Sequence, residues 1–437
     1  MENIKALPGF EDVLPDESYK WRYVESVLHE CARQFAFNEI RFPILERTEL
    51  FVRGVGETTD VVQKEMYTFD AGGEEKYSLT MRPEGTASAV RSFIENHLDS
   101  GGLPVKCYYI APNFRHEKPQ KGRLRQHHQF GVEYFGAASY FADAEVISVA
   151  ATYINRLGIN NVSLHINSIG CPDCRKEYYA VLTEYFSKQT DSLCSTCKDR
   201  LTRNPMRILD CKSPVCSNIA KDAPKTVDYI CKECKSHFDN LQTMLNDMNI
   251  AHTVDTSIVR GLDYYRGTVF EFIAENIGAQ ATICAGGRYD SLVEQLGGKP
   301  MPGLGFGSGL ERLMLAMEAS GVNIPKPGGV DIFIASIGEK AHKFAALTAL
   351  NLRRAGIAAE YDPLARSVKA QMRFADKINA HYTAVIGDNE LETNTVNLKN
   401  MQTGKVETTK INRLPRELGA DEKTSTILRR MRRNEGE

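Results

Sequence analysis

The sequence predicts a mixed α/β protein, α+β in its larger part, divided into more than one domain. Three observations carry that expectation. Helical patterns alternate with strand-like runs from residue 1 to about 330. The stretch NIPKPGGVD (323–331) is a proline- and glycine-rich linker, the composition at which domains separate. Beyond it, DIFIAS, IAAEYD and YTAVIGD are short strand candidates separated by helix-like stretches. That alternation predicts a small α/β domain on a largely parallel sheet. With 437 residues the chain can build two or three domains and a large core. The expected division is 1–330, interrupted by an insertion at about 167–250, then 331–430, then a tail at 431–437. The closing ILRRMRRNEGE reads as a frayed end.

Composition narrows the function class. Hydrophobic residues make up 42% and charged residues 25%, with a net charge of −2. There is no global pull toward nucleic acid, which leaves local basic patches to do any such work. The start, MENIKALPGFEDVLPDE, has no apolar centre and an acidic flank, so it is not a secretory signal. No apolar run reaches the roughly 18 residues of a membrane span, and a cytoplasmic protein is expected.

The hairpin comes first among the chemistry-bearing stretches. In KCYYIAPNFRHEKPQKGRLRQHHQFGVEYFG (106–136), two strand-like runs flank a polar loop. Alternation puts Gln129, Gly131 and Glu133 on one face and Phe130, Val132 and Tyr134 on the other. Arg115 and Glu117 open the loop, which carries Lys118, Lys121, Arg123 and Arg125. A solvated face is the ordinary reading of such a hairpin; the density of basic groups favours an anionic partner. In LTMRPEGTASAVRSF (79–93), Pro83 to Thr86 form a turn into a helix with Thr86 as N-cap. Glu84 and Thr86 could bind an ammonium group there, or simply cap the turn. In MPGLGFGSGLERLML (301–315), four glycines precede a helix with Leu310, Leu313, Met314 and Met317 at core spacing and Arg312 off that stripe. Glycines before a helix start resemble a phosphate cradle, without the Walker lysine or a dinucleotide fingerprint.

Cysteine usage is uneven. Eight of eleven cysteines lie between Cys171 and Cys234. Cys171–Cys174, Cys194–Cys197 and Cys231–Cys234 are C-x-x-C pairs, and Cys211–Cys216 has a wider gap. The eight could supply two structural Cys₄ zinc sites, or pack as reduced thiols. Cys31, Cys107 and Cys284 sit in apolar settings and read as buried thiols.

RGLDYYRGTVFEF (260–272) and AGGRYD (285–290) complete a recognisable set. With them, the chain resembles the histidine-specific members of the class II aminoacyl-tRNA synthetases, from LPGFEDVLP (7–15) to the C-terminal domain. FPILERTELFVRGVGETTDVVQKEMYTF (42–69), with Pro43, is similar to the first class II motif, a dimer element. FRHE (114–117) with its loop is similar to the second, and GFGSGLERL (305–313) to the third. The two histidine signatures are the most specific. This resemblance implies a catalytic domain on a mainly antiparallel sheet, with a cysteine-rich helical insertion and an anticodon-binding C-terminal domain. It implies a homodimer that uses ATP with Mg²⁺, L-histidine and tRNA(His), forms a histidyl-adenylate, and releases AMP and diphosphate.

The resemblance also implies roles. Arg115 and Arg260 grip the α-phosphate and carboxylate as the catalytic pair; Arg312 takes the γ-phosphate, and Arg123 helps with the triphosphate. Arginine suits this because its planar fork is bidentate and always charged. Glu117 accepts from the adenine amino group, and His127 stands near adenine where an aromatic, often phenylalanine, is expected. Glu84, Thr86 and Gln129 hold the α-ammonium. Glu133 and Tyr265 bond the two imidazole nitrogens. Tyr264 and Tyr289 are pocket walls or ordinary packing. Arg266 receives no catalytic role. Gln120, Lys121 and Arg123 contact the acceptor end, and basic groups of CKDRLTRNPMR (197–207) meet tRNA phosphates. Two rivals are regulatory subunits of histidine biosynthesis that bind histidine without charging tRNA, and class II enzymes for threonine, proline or glycine. The retained RGLDYY signature argues against both, the C-terminal domain against the first, and Glu133 against the second.

Overall fold

The computed structural model describes residues 3–57, 59–72, 77–211, 213–278 and 281–420. The terminal ILRRMRRNEGE, with the tail at 431–437, lies outside the described residues. The chain divides into two units, Met1–Ile324 and Pro325–Glu437. Among the described residues no helix is long and apolar enough to cross a membrane.

Eleven strands of the first unit follow in chain order: β1 (Asn38–Glu39), β2 (Leu45–Arg47), β3 (Tyr67–Asp70), β4 (Ser78–Met81), β5 (Val105–Phe114), β6 (Gln126–Phe135), β7 (Val162–Ser168), β8 (Thr253–Val254), β9 (Arg266–Ala274), β10 (Thr282–Arg288) and β11 (Gly303–Gly309). Eight of them form one sheet in the order β1-β5-β6-β11-β10-β9-β7-β8. It is antiparallel except at its ends, where β1 pairs with β5 and β8 with β7 in parallel. Strands β2, β4 and β3 form a small antiparallel sheet. The helices are α1 (Ser18–Gln34), α2 (Thr48–Val55), α3 (Thr86–Glu95), α4 (Tyr140–Arg156), α5 (Pro172–Ser187), α6 (Ser195–Arg203), α7 (Pro214–Lys221), α8 (Lys232–Asp247), α9 (Leu292–Gln295) and α10 (Leu310–Ala319).

Apolar periodicity decides which face each element buries. In α1, Val24, Leu28, Cys31 and Ala32 recur at helical spacing and are all buried. They join Phe130, Val132 and Tyr134 of β6, Ala150 and Tyr153 of α4, and Leu310, Leu313 and Met317 of α10 in one core. The strands β5 and β6 pair from Val105–Phe135 to Phe114–Gln126, the hairpin that the alternation predicts. With one face of β6 given to the core, Gln129 and Glu133 are directed to the other face. Between β7 and β8 lie the four helices α5 to α8; the returning helix α8 contributes Phe238, Leu241 and Leu245 to the main core.

A buried ion pair ties three of these elements together. Arg288 ends β10 and is 3% exposed; Asp143, in the first turn of α4, is 1% exposed. The guanidinium Nη2 donates to Asp143 at 2.6 Å and Nε at 2.9 Å, and the remaining N–H groups reach the carbonyls of Ala137 and Ser139 and the Asp290 carboxylate, the last at 3.2 Å. His237 of α8 lies 3.3 Å from the same carboxylate. A desolvated guanidinium needs this full set of partners. The arginine of AGGRYD thus anchors α4 to the sheet.

The second unit holds β12 (Ile332–Ser336), α11 (Glu339–Arg354), β13 (Ala359–Tyr361), α12 (Val368–Lys377), β14 (Tyr382–Ile386), α13 (Asp388–Thr393), β15 (Thr395–Asn400), β16 (Val406–Lys410) and α14 (Leu414–Glu417). Its sheet order is β13-β12-β14-β15-β16. Only β13, β12 and β14 are parallel; β15 and β16 add antiparallel strands, so the expectation of a largely parallel sheet is corrected to a mixed one. The cause is chain length. The short α13 connection between β14 and β15 is too brief for a parallel crossover, which needs about a dozen residues or more.

Removing the Asp143 carboxylate strips the buried Arg288 of its closest acid and leaves Asp290, 3.2 Å away, as the remaining one. Asp143→Ala is expected to cost about 3–5 kcal/mol, read as a lower midpoint in urea unfolding followed by fluorescence. A loss below about 1 kcal/mol would show that the guanidinium is not dependent on this partner.

Candidate active site

A cavity of about 320 Å³ lies on the polar face of the sheet, between the start of α3, the β5–β6 loop, the 260–265 loop, β10, β11 and the first turn of α10. It gathers Arg115 and Arg123 of the β5–β6 loop, Arg260 of the 260–265 loop and Arg312 of α10, four arginines from three segments. Glu84, Glu117, Glu271 and Glu311 line it as well, so each buried cation has acids in reach.

Each guanidinium is held. Arg115 donates Nε to the Pro83 carbonyl at 2.8 Å and stands 3.9 Å from Glu117. Arg123 pairs closely with Glu117 and lies 3.9 Å from Glu65. Arg312 donates to the carbonyls of Gly122 and Thr282, both at 2.8 Å. Arg260 pairs closely with Glu271 and lies over the Tyr265 ring at 5.2 Å. Its Nε is buried without a hydrogen-bond partner. Burial and the neighbouring charge of Arg123 hold the Arg312 pKa below its ordinary value. Burial and the nearby Glu117 push the Glu65 carboxyl up to about 7. His127 is pushed down to about 3 by burial and then by Arg115, so its imidazole is neutral and offers a flat apolar face beside the arginines.

At the start of α3 the structure corrects the predicted cap. Thr86 is the first helical residue, and the preceding Gly85 occupies the cap position. The Glu84 carboxylate does the capping, accepting from the Thr86 and Ala87 N–H groups at 2.7 and 2.8 Å. Thr86, two residues after Glu84, is already inside the first turn, so its hydroxyl does not precede the free N–H groups that a cap must reach. Glu84 is 3% exposed, and burial raises its pKa.

Glu133 sits behind the cavity wall and is fully buried. It accepts from Tyr109 Oη at 3.1 Å and closely from Tyr289 Oη. Burial drives its pKa to about 8, against the pull of the Tyr289 and Thr86 hydroxyls. Gln129, on the same face of β6, accepts from Asn113 Nδ2 at 2.9 Å. Tyr264 and Tyr265 are buried with ring centroids 4.6 Å apart, and Tyr289 is 5.8 Å from Tyr264.

The glycines of the third motif do different work from a phosphate cradle. They form β11 rather than a loop. Gly305 opposes Glu133 and Gly307 opposes Gly131 across the β6–β11 ladder. A Cβ on Gly305 would meet the Glu133 carboxylate at 2.3 Å, and one on Gly307 the Gln129 amide at 2.0 Å. Their smallness makes room for the two polar side chains.

The structure therefore gathers Glu84, Thr86, Arg115, Glu117, Arg123, His127, Gln129, Arg260, Tyr264, Tyr265 and Arg312 around one cavity, with Glu133 and Tyr289 directly behind. Sequence reasoning missed Tyr109, Glu271 and Glu65. Glu271 was visible inside RGLDYYRGTVFEF, eleven positions after Arg260. Tyr109 carried a register signal, since it pairs with Gly131 on the adjacent strand. Two of the basic groups expected to meet phosphates turn inward instead. Arg200 of α6 and Arg207 of the following Pro205–Ile208 turn each lie 3.3 Å from Asp60.

The eight clustered cysteines divide into Cys171, Cys174, Cys231 and Cys234, and Cys194, Cys197, Cys211 and Cys216. Either set offers donors that could hold a metal ion.

A family model described as histidyl-tRNA synthetase matches residues 9–313, and one described as anticodon binding domain matches 331–421. A histidine–tRNA ligase of Caldanaerobacter subterraneus subsp. tengcongensis is 54% identical over 401 residues, covering 92% of this chain and 95% of that one. The histidine–tRNA ligase of Clostridioides difficile is 51% identical over 415 residues, covering 95% and 98%. The crystal structure of apo S. aureus histidyl-tRNA synthetase superposes with a TM-score of 0.81 at 38% identity, covering 95% of this chain and all of that one.

The raised acid makes stability depend on pH. Folded Glu133 keeps its proton up to about 8, whereas the unfolded carboxyl gives it up near 4.5. The native state binds the extra proton between those values, so this contribution to stability is full below 4.5 and is lost as pH rises to about 8. Glu133→Gln removes the titration. The melting temperature of the variant minus that of the wild type is expected to rise across this window; parallel curves would refute the buried proton.

Proposed function

The chain belongs to the histidyl-tRNA synthetase family, and on that premise we propose that it joins L-histidine to tRNA(His) through a histidyl-adenylate. ATP enters as its magnesium complex, a substrate. One carboxylate oxygen of histidine attacks the α-phosphorus, the bond to the β-phosphate breaks, and diphosphate leaves. A ribose hydroxyl of the tRNA end then attacks the activated carbonyl, and AMP leaves.

Each residue of the cavity has a task on this reading. Arg115 and Arg260 neutralise the charge that builds between the carboxylate and the α-phosphate. Arg312 and Arg123 take the outer phosphates. Every one of these arginines already has a carbonyl or acid partner, so the phosphates exchange with those partners. Arg123 leaves Glu117, which frees that carboxylate for the adenine amino group while neutral His127 stacks on the base. Glu84, Thr86 and Gln129 hold the α-ammonium. Glu133 and Tyr265 clasp the imidazole, with Tyr109 and Tyr289 keeping the Glu133 carboxyl oriented and Tyr264 closing the wall. A site that pairs both ring nitrogens rejects isosteres by about 10⁴–10⁵, because they leave buried polar groups unpaired. The observation that carries this reading is the cavity itself: four arginines and their acids face one space, with the Arg260 Nε unpartnered. The second unit supplies the anticodon contacts, and the protein works in the cytoplasm with its tRNA.

The homodimer belongs to the same proposal. Leu45 and Phe69 on the small sheet and the adjoining Ile44 are 43–45% exposed, in the stretch that resembles the dimer motif. Sedimentation equilibrium should return twice the chain mass; a monomer at micromolar concentration would end that part.

The decisive experiment is ATP–pyrophosphate exchange with each amino acid, followed by charging of tRNA(His). Histidine alone should support exchange, with threonine, proline and glycine lower by at least about 10³-fold. Arg260→His in the same assay should lose at least about 10²-fold while its circular dichroism stays native. Histidine binding without exchange would instead identify a regulatory subunit.

A further inference from the structure

We infer that the two cysteine sets are mononuclear zinc sites, and that the two ions brace the loop carrying Arg260. In each set the four sulfurs lie within 4.8 Å of one another. Zinc–sulfur bonds of about 2.3 Å place the sulfurs of one tetrahedron about 3.8 Å apart. Here Cys171 and Cys174 stand at 3.4 Å, and Cys194 and Cys211 at 3.9 Å. That spacing fits a single ion; an iron–sulfur cluster sets several atoms between its sulfurs and spreads them wider.

The backbone prepares the thiolates. Cys171, Cys194 and Cys231 are the N-cap residues of α5, α6 and α8, and Cys174, Cys197 and Cys234 lie in the first turns. A C-x-x-C pair in this position turns both sulfurs toward the positive end of the helix. Backbone N–H groups already point at sulfur: Cys231 N to Cys174 at 3.0 Å, Cys194 N to Cys216 at 3.2 Å, and Cys234 N to Cys231 and Ser213 N to Cys211 at 3.5 Å. Such donors offset the net negative charge of a tetrathiolate zinc. Gly170 has φ +68, and a Cβ there would meet the Cys174 Cβ at 2.6 Å, so the chain closes tightly over the first set.

Both sets connect to the 260–265 loop. Next to the first set, Gly267 N donates to the Gly170 carbonyl at 3.0 Å and Ile169 N to the Gly267 carbonyl at 2.8 Å. From α5, Arg175 holds the Tyr265 carbonyl at 2.8 Å. Arg266 has a buried Nε without a hydrogen-bond partner, and it supplies positive charge on the Cys171 side. Beyond the second set, Asn204 donates to Asp263 at 3.1 Å and Arg207 to the Gly261 carbonyl at 3.3 Å. Tyr264 and Tyr265 share one apolar cluster with Tyr178, Leu201 and Cys216. Helices stapled at their N-termini therefore clamp the loop from both ends.

The test uses the full chain purified without added metal. Elemental analysis should return two zinc ions per chain, released by a mercurial thiol reagent. Cys234→Ser and Cys197→Ser should each lower the content to one. Less than about 0.2 zinc per wild-type chain, or iron with inorganic sulfide, overturns the sites whether or not the variants fold. Hydrogen exchange reads the brace independently of activity. In zinc-stripped protein the amides of 260–267 should exchange at least about tenfold faster, and readded zinc should restore them, while the second unit stays unchanged. Unaltered exchange at 260–267 in stripped protein overturns the brace.

Discussion

Charge neutrality inside a desolvated cavity is the constraint on which this molecule depends. Four guanidiniums cannot be buried together without partners, since an isolated buried ion is far more costly than a paired one. The chain meets this by giving Arg123 the Glu117 carboxylate, Arg260 the Glu271 carboxylate, and Arg115 and Arg312 backbone carbonyls. The cavity is thus stable before any ligand arrives. Under the proposed function, a polyphosphate would displace these acid and carbonyl partners from the guanidiniums.

The same low-dielectric setting governs the acid behind the wall. Glu133 is buried under a strand made of glycines, and its two phenolic partners keep it in one orientation. Burial favours the protonated form, whereas the Tyr289 hydroxyl bond favours the carboxylate. A buried group of this kind is costly to the fold. Its setting explains why β11 is glycine at alternate positions: the strand leaves the space that the polar side chains of β6 fill.

The helical insertion belongs mechanically to this cavity. The insertion and the residues leading into it reach the backbone at Gly261, Tyr265 and Gly267 and the Asp263 carboxylate, and α8 packs in the main core with α4. Arg288 performs a comparable task at the end of β10, joining it to α4 through Asp143. The mixed sheet of the second unit follows a more local rule, since a short connection after β14 permits only an antiparallel return.

Much of this was legible from residues alone. Period-two alternation in 126–135 separated Phe130, Val132 and Tyr134 from Gln129 and Glu133, and helical spacing marked the buried faces of α1 and α10, because both patterns are local consequences of backbone geometry. The cysteine spacing marked eight candidate ligands without saying which four meet. What only the tertiary structure decided was partnership. Glu84 rather than Thr86 caps α3; Tyr109 and Tyr289 hold Glu133; Arg200 and Arg207 face Asp60 instead of solvent; Cys211 and Cys216 complete the set begun by Cys194 and Cys197. Such pairings join positions from three to more than a hundred and fifty residues apart. Side-chain type and local period fix what each residue can do, whereas the packing of distant elements fixes which neighbour it does it with.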